Sequence, residues 1–199
     1  MGTLNILSLI VFCIFLVSYV LKLVILYRKN SIKANVLAKG KKSSGIKLTE
    51  RLVKIATFIW GATWFSMSLA EPYFVDFIGR HYNLPVVNFA GVGIVSLGCA
   101  VFILAMTSMR TSWRVGIDKS ATTKLITRGV YRYSRNVAFV GFDLMFSGLY
   151  LMYPNFLTLI ILVLNVLAIH LLILQEEKHL RLVFGQEYDD YCRKTPRYI

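Results

Sequence analysis

Apolar residues run along this chain in long blocks broken by short polar stretches, without the alternation expected of a half-buried strand. A helix needs about 20 mostly apolar residues to cross the hydrocarbon core of a bilayer. Leu4–Tyr27 meets that requirement, with Lys22 near its end able to reach the interface through its aliphatic stem. Runs over Ile55–Ala70, Val86–Met106, 137–153 and 155–174 predict four more helices. Glu71-Pro72 ends the second run, and residues 71–85 form a short, mildly acidic connection. Tyr153-Pro154-Asn155 is a tight turn, so the last two runs are predicted to pair as an antiparallel hairpin. The fourth run is short for a span and is expected to start below the interface or lean against its partner. Two polar stretches remain: residues 28–54, where Lys39–Gly45 reads as a flexible loop, and residues 110–136. The first apolar run is too long, and too poor in basic residues before it, for a cleaved leader, so it is expected to stay as a helix.

Composition strengthens the membrane reading. Hydrophobic residues make up 56% and charged residues 17%, against roughly 45–50% and 25% in soluble domains. The net charge of +13 raises the question of nucleic acid, but the charges are not spread as a binding stripe. Of 23 Lys and Arg, 21 fall in segments 28–54, 110–135 and 175–199, which alternation of five spans places on one membrane face. Positive charge marks the cytoplasmic side, so the N-terminus is expected outside and the C-terminus inside. The same charge suits contact with anionic lipid, and no nucleic-acid partner is expected. Cys13, Cys99 and Cys192 are far apart and show no metal-ligand spacing, so no metal is expected. The expected fold is all-α and integral to the membrane: five transmembrane helices with a cytoplasmic C-terminal helical cap. Residues 1–109 supply three helices and a basic loop, and residues 110–199 the hairpin and tail.

Candidate chemistry is concentrated after residue 110. Lys124–Asn136 combines Gly129, two tyrosines and several arginines just before an apolar run. Glycine lets backbone approach a ligand closely, arginine offers a planar fork to a carboxylate, and tyrosine stacks while donating a hydrogen bond. The same residues also suit an interfacial belt anchoring a helix end. Glu176-Glu177, at the end of the last span, are costly there unless solvated or paired. The hairpin would bring them to the arginines near residue 135. In the tail, Gly185 fits a helix C-cap, and a short amphipathic helix following it could fold under the bundle and close a cavity.

These segments carry a resemblance. Leu125-x-x-x-Gly129-x-Tyr131-x-x-x-Arg135-Asn136, a hairpin, Glu176-Glu177, then Phe184-Gly185-x-Glu187-Tyr188-x-x-Tyr191 and Pro196-Arg197 resemble the isoprenylcysteine carboxyl methyltransferase family and its phospholipid-methyltransferase relatives. Ser112-Trp113-Arg114-Val115-Gly116-Ile117 is similar to prokaryotic members. The resemblance implies S-adenosyl-L-methionine as methyl donor, in a cytoplasm-facing pocket roofed by the tail, with a lipid or prenylated acceptor entering sideways between helices. It implies cofactor contacts at Lys124, Leu125, Ile126, Gly129, Tyr131, Arg135, Asn136, Glu176 and Glu177. Lys124–Ile126 would approach the cofactor as a strand-like stretch. No catalytic residue is assigned, since methyl transfer to an anionic nucleophile needs positioning more than acid–base help.

The pattern departs from the family at three places. Val137 and Phe139 stand where relatives carry proline and tyrosine, and Leu172 stands where many carry a substrate arginine. Asp143, near the middle of the fourth run, and His170 in the fifth are ionisable groups inside the membrane and hence candidate substrate contacts. They could equally form a structural pair. The expected function is methylation of a lipid-linked or hydrophobic acceptor, most like isoprenylcysteine carboxyl O-methylation. A phospholipid amine and a thiol are other acceptors. A catalytically degenerate membrane scaffold and a nicotinamide-dependent membrane reductase are the alternatives.

Overall fold

A computed structural model describes residues 2–118 and 124–198 as a bundle of α-helices. The helices are α1 (Thr3–Asn30), α2 (Ser44–Ile78), α3 (Pro85–Ser108), α4 (Val137–Met152), α5 (Phe156–Phe184) and α6 (Gln186–Lys194). Short 3₁₀ turns occupy Arg110–Ser112 and Gly129–Arg132. Among the described residues the extended pairing amounts to one parallel bridge, between Asn35 and Val115. Five residues of the polar segment read above as 110–136, namely 119–123, lie outside the described residues.

Four helices have the length and apolarity to cross a membrane: α1, α2 over Ser44–Phe74, α3 and α5. The fifth predicted span, α4, has 16 residues, which at 1.5 Å per residue reaches about 24 Å, short of the roughly 30 Å core. Two predicted boundaries shift. α2 begins at Ser44 rather than near residue 55, because the basic residues before Ile55 still continue the helix as its polar first turns. It bends rather than stops near Glu71: Ala70 leaves helical geometry (φ −133°, ψ 29°), two residues before Pro72, whose ring cannot sit behind a regular turn. α5 runs ten residues past the predicted end at 174, so Glu176 and Glu177 lie inside the helix and not at its terminus.

The predicted turn at 153–155 is present. Asn155 caps α5 by accepting the Thr158 amide at 3.0 Å, while the Thr158 hydroxyl accepts from the Asn155 amide at 3.3 Å. That reciprocal box satisfies two of the amides that every helix start leaves open. α3 and α4 make the closest seam of the bundle. A Cβ added to Gly98 would lie 2.7 Å from the Gly141 carbonyl oxygen, and one added to Gly148 would lie 2.8 Å from that of Gly91. Two glycines spaced seven apart on each helix thus let the backbones touch, which is how helices associate where burial from water no longer drives them together.

On α1 and α5 the outward faces are aliphatic: Ile10, Ile14, Val17 and Leu21 on one, Ile160, Leu164, Leu167 and Leu171 on the other. Inside, a ring cluster of Phe12, Phe15, Trp60, Trp64, Phe102, Phe142 and Phe146 ties α1, α2, α3 and α4 together. Two buried hydrogen bonds cross between helices and their ends, the Trp64 indole donating to Ser8 (2.9 Å) and the Tyr153 hydroxyl to Asn5 (3.0 Å).

Candidate active site

Adjacent residues on a helix point about 100° apart, and α5 uses this to serve two structures at once. Ile169, Leu172, Glu176, His179, Leu180 and Val183 share one face and line a large cleft. His170 and Glu177, seven residues apart, face the C-terminal tail instead. The two neighbouring glutamates therefore do different work.

Glu177 is almost fully buried and holds the tail. Its Oε1 accepts from Arg135 (3.1 Å), from Arg197 Nε (3.1 Å) and from the Asn136 amide (3.3 Å), and its Oε2 from Arg197 Nη2 (2.8 Å). Arg135 further donates to the carbonyls of Cys192 (3.1 Å) and Thr195 (2.9 Å), and its backbone amide to that of Pro196 (3.0 Å). The Asn136 amide also reaches the Arg197 carbonyl at 3.2 Å. The Tyr191 hydroxyl donates to the Tyr131 carbonyl. Farther along α5, His170 Nδ1 and the Tyr198 hydroxyl share a hydrogen bond of 2.6 Å. The tail predicted to fold beneath the bundle is thus fastened at residues 191–198 to residues 131–136 and to α5.

The cleft has a volume of about 1220 Å³. Its polar end is walled by Arg114, Asp118, Tyr131, Arg135, Asn136 and Glu176. The other end runs between α1, α2 and α4 along Phe12, Phe15, Trp60, Phe65 and Phe142. Tyr131 is 6% exposed. Burial first, then the nearby Glu176 carboxylate and Tyr191, push its phenol above the usual range, so it stays protonated as a neutral hydroxyl.

Of the residues singled out above, Tyr131, Arg135, Asn136 and Glu176 come together on the cleft wall. Leu172, the departure from the family's arginine, is buried on the same wall between Ile169 and Glu176. Lys124, Leu125 and Ile126 lie along the irregular approach to the Gly129–Arg132 turn, which Gly129 opens, and Lys124 and Gly129 are exposed. They take no part in a strand, and none of the four is on the cleft lining. Asp143 and His170 also sit elsewhere. Asp143 borders a small separate groove with Ser147 and Tyr198, and its Oδ1 is buried without a partner among the described residues.

Two features of the wall carry no site assignment from the sequence, although residues 112–117 belong to the family resemblance. Residues 112–117 all line the cleft, and Glu50, fully buried on α2, fastens them. One Glu50 oxygen accepts from the Ile117 amide (2.8 Å) and the other from the Ala38 amide (2.8 Å), while Lys42 pairs with both (2.9 and 2.8 Å). The strand-like pairing beside it joins Val36 and Ala34 to Val115 through bonds of 3.0 and 2.8 Å. Gly116 has φ +92°, and a Cβ there would sit 2.9 Å from Glu50 Oε1, so the site requires glycine. The one sign of this clasp in the sequence is that Glu50 is the single acidic residue among nine cations in 28–54.

The described residues thus form a helical bundle with four helices long and apolar enough to cross a membrane, and a large cleft lined by α1, α2, α4, α5 and residues 112–118. The sequence profile of the phospholipid methyltransferase family matches residues 86–187, and the chain belongs to that family of integral membrane methyltransferases. Members of the family generally use S-adenosylmethionine. Comparison with curated proteins gives no match.

Proposed function

We propose that this protein transfers a methyl group from S-adenosylmethionine to a lipid-linked acceptor, with an isoprenylcysteine carboxylate as the leading candidate. The observation that carries the reading is the two-ended cleft: a polar end built from Tyr131, Arg135, Asn136 and Glu176 opens into an aromatic arm between α1, α2 and α4. Small-molecule pockets commonly measure about 300–1,000 Å³, so this volume has room for a nucleotide-sized donor and part of a hydrocarbon chain. Glu176 suits a ribose, to which a carboxylate offers acceptors, and Arg135 and Asn136 suit an amino-acid carboxylate, to which they offer donors. Arg135 Nε is buried and lacks a partner among the described residues, as expected of a wall group whose acceptor is a ligand. Lys124, Leu125, Ile126 and Gly129 would act by shaping the approach to Tyr131, and Glu177 by holding the tail as a roof. S-adenosylmethionine when bound supplies a methyl group already activated on sulfur. The chain's own part is then to orient the acceptor and exclude water, which can account for much of the rate.

A phospholipid amine is the second acceptor, favoured by the family match and by Leu172, which puts an apolar side chain on the wall where relatives carry an arginine. In the bilayer we place α4 as a fifth, leaning span, with the N-terminus outside and the cleft's polar end and α6 at the cytoplasmic face.

Calorimetric titration of the detergent-purified protein tests the reading. S-adenosylmethionine and S-adenosylhomocysteine should both bind in the micromolar range, and Glu176→Ala should weaken binding about tenfold or more, the scale of a hydrogen bond to a charged group. A folded wild-type protein that binds neither compound would reject it. Supplying a prenylcysteine and a phosphatidylethanolamine in parallel, with a labelled methyl donor, then decides between the acceptors.

A further inference from the structure

The three tryptophans of the chain are all buried, and they treat their N–H groups differently. Trp64 donates to Ser8. The indole nitrogens of Trp60 and Trp113 are buried and unpartnered among the described residues, and both tryptophans line the cleft. A buried donor left unpaired costs about 1–3 kcal/mol, and native proteins keep few of them without a reason. Trp60 is surrounded by the rings of Phe15, Trp64, Phe142 and Phe146, which carry no oxygen acceptor. Trp113 is 5% exposed and has a different setting. One ring, Phe102, meets it edge to face at 5.6 Å, and its sequence neighbour Arg114 belongs to the polar end of the cleft.

The backbone that follows Trp113 is held in place by two neighbouring segments. Val115 pairs with residues 34 and 36, and Ile117 donates to the buried Glu50. Arg114 donates to the Trp113 carbonyl at 2.9 Å and reaches Asp118 at 3.4 Å. A donor mounted this rigidly loses little freedom when a ligand accepts from it.

We propose that the Trp113 N–H is a binding donor of the cleft, hydrogen-bonded to an oxygen acceptor of the occupant, with Glu50 as the positioning residue that fixes its segment. The inference rests on the methyltransferase reading for what the occupant is. The oxygen belongs either to the carboxylate of the methyl donor or to the head group of the methyl acceptor, and the test separates these.

Trp113→Phe removes the N–H and keeps an aromatic filler. A second variant carries β-(3-benzothienyl)alanine at position 113, which replaces N–H by sulfur at nearly constant shape, so loss of packing cannot imitate loss of the bond. If the oxygen is the methyl donor's, both variants bind S-adenosylhomocysteine about fivefold more weakly than wild type while thermal stability is kept. If it is the acceptor's, S-adenosylhomocysteine affinity is unchanged and KM for a prenylcysteine rises by a similar factor with kcat little altered. Wild-type values for both quantities in the benzothienyl variant overturn the proposal and assign the N–H to the face of Phe102. Should wild type itself bind no S-adenosylhomocysteine, the methyltransferase reading falls and this inference with it.

Discussion

Glu176 and Glu177 show how much a single residue step decides on a helix. One faces the cleft, and the other neutralises two arginines that bind the tail. The side chain of Glu177 is 4% exposed, and that of Arg135 is 10% exposed. Removing one member of a buried ion pair strands its partner, at a cost of about 3–5 kcal/mol. Glu177→Ala should therefore lower the thermal midpoint in detergent and expose 186–198 to limited proteolysis, whereas Glu176→Ala should keep both properties and lose ligand affinity. Equal protease sensitivity in the two variants would remove Glu177 from the role of tail anchor. The adjacent pair was legible in the sequence as a charged cluster in need of partners. The division of labour was not, because it depends on α5 continuing to Phe184, and the hydropathy run fades at 174 while the helix does not. Glu50 was less visible still: besides Lys42, its partners are backbone amides at 38 and 117, which no side-chain pattern announces.

At the scale of elements, the hairpin was the most readable part of the chain, since Tyr153-Pro154-Asn155 breaks an otherwise continuous apolar stretch. The α3–α4 seam carries a signal that was present but unread: Gly91 and Gly98 on one helix, Gly141 and Gly148 on the other, both seven residues apart. Gly98→Leu should destabilise the bundle by about 1–3 kcal/mol or more, because its Cβ meets backbone, which cannot swing aside as a side chain can. Gly93→Leu on the same helix has nothing within 4 Å of its Cβ and should leave the melting temperature nearly unchanged. Comparable losses in both variants would mean that helix propensity, and not the seam, sets the cost. The bend in α2 eluded the sequence for a related reason. Pro72 was read as a stop, but a proline close to the end of a long helix can bend it when neighbouring helices hold both arms.

For the molecule as a whole, the distribution of Lys and Arg determines the expected orientation. In a protein with Cys13, Cys99 and Cys192 replaced, a cysteine introduced at Asn83 should react with a membrane-impermeant maleimide added to intact cells. One introduced at Lys41 should react only after permeabilisation. Both positions are exposed. The reverse pattern would invert the proposed topology, and labelling of both sites from one side would require an even number of spans between them.

The Glu50 clasp bears on where a working fragment of this chain could be cut. A segment trimmed to residues 86–187 would keep Trp113, Tyr131, Arg135, Asn136 and Glu176, yet lose Glu50 and Lys42, which pin the 113–117 wall, and Arg197, which ties the tail to Glu177. It would also shed Phe12, Phe15, Trp60 and Phe65, and with them most of the greasy channel. Swapping that segment into a relative should thus transplant half of the proposed binding site, competent only if the recipient's first two helices happen to supply an equivalent buried carboxylate.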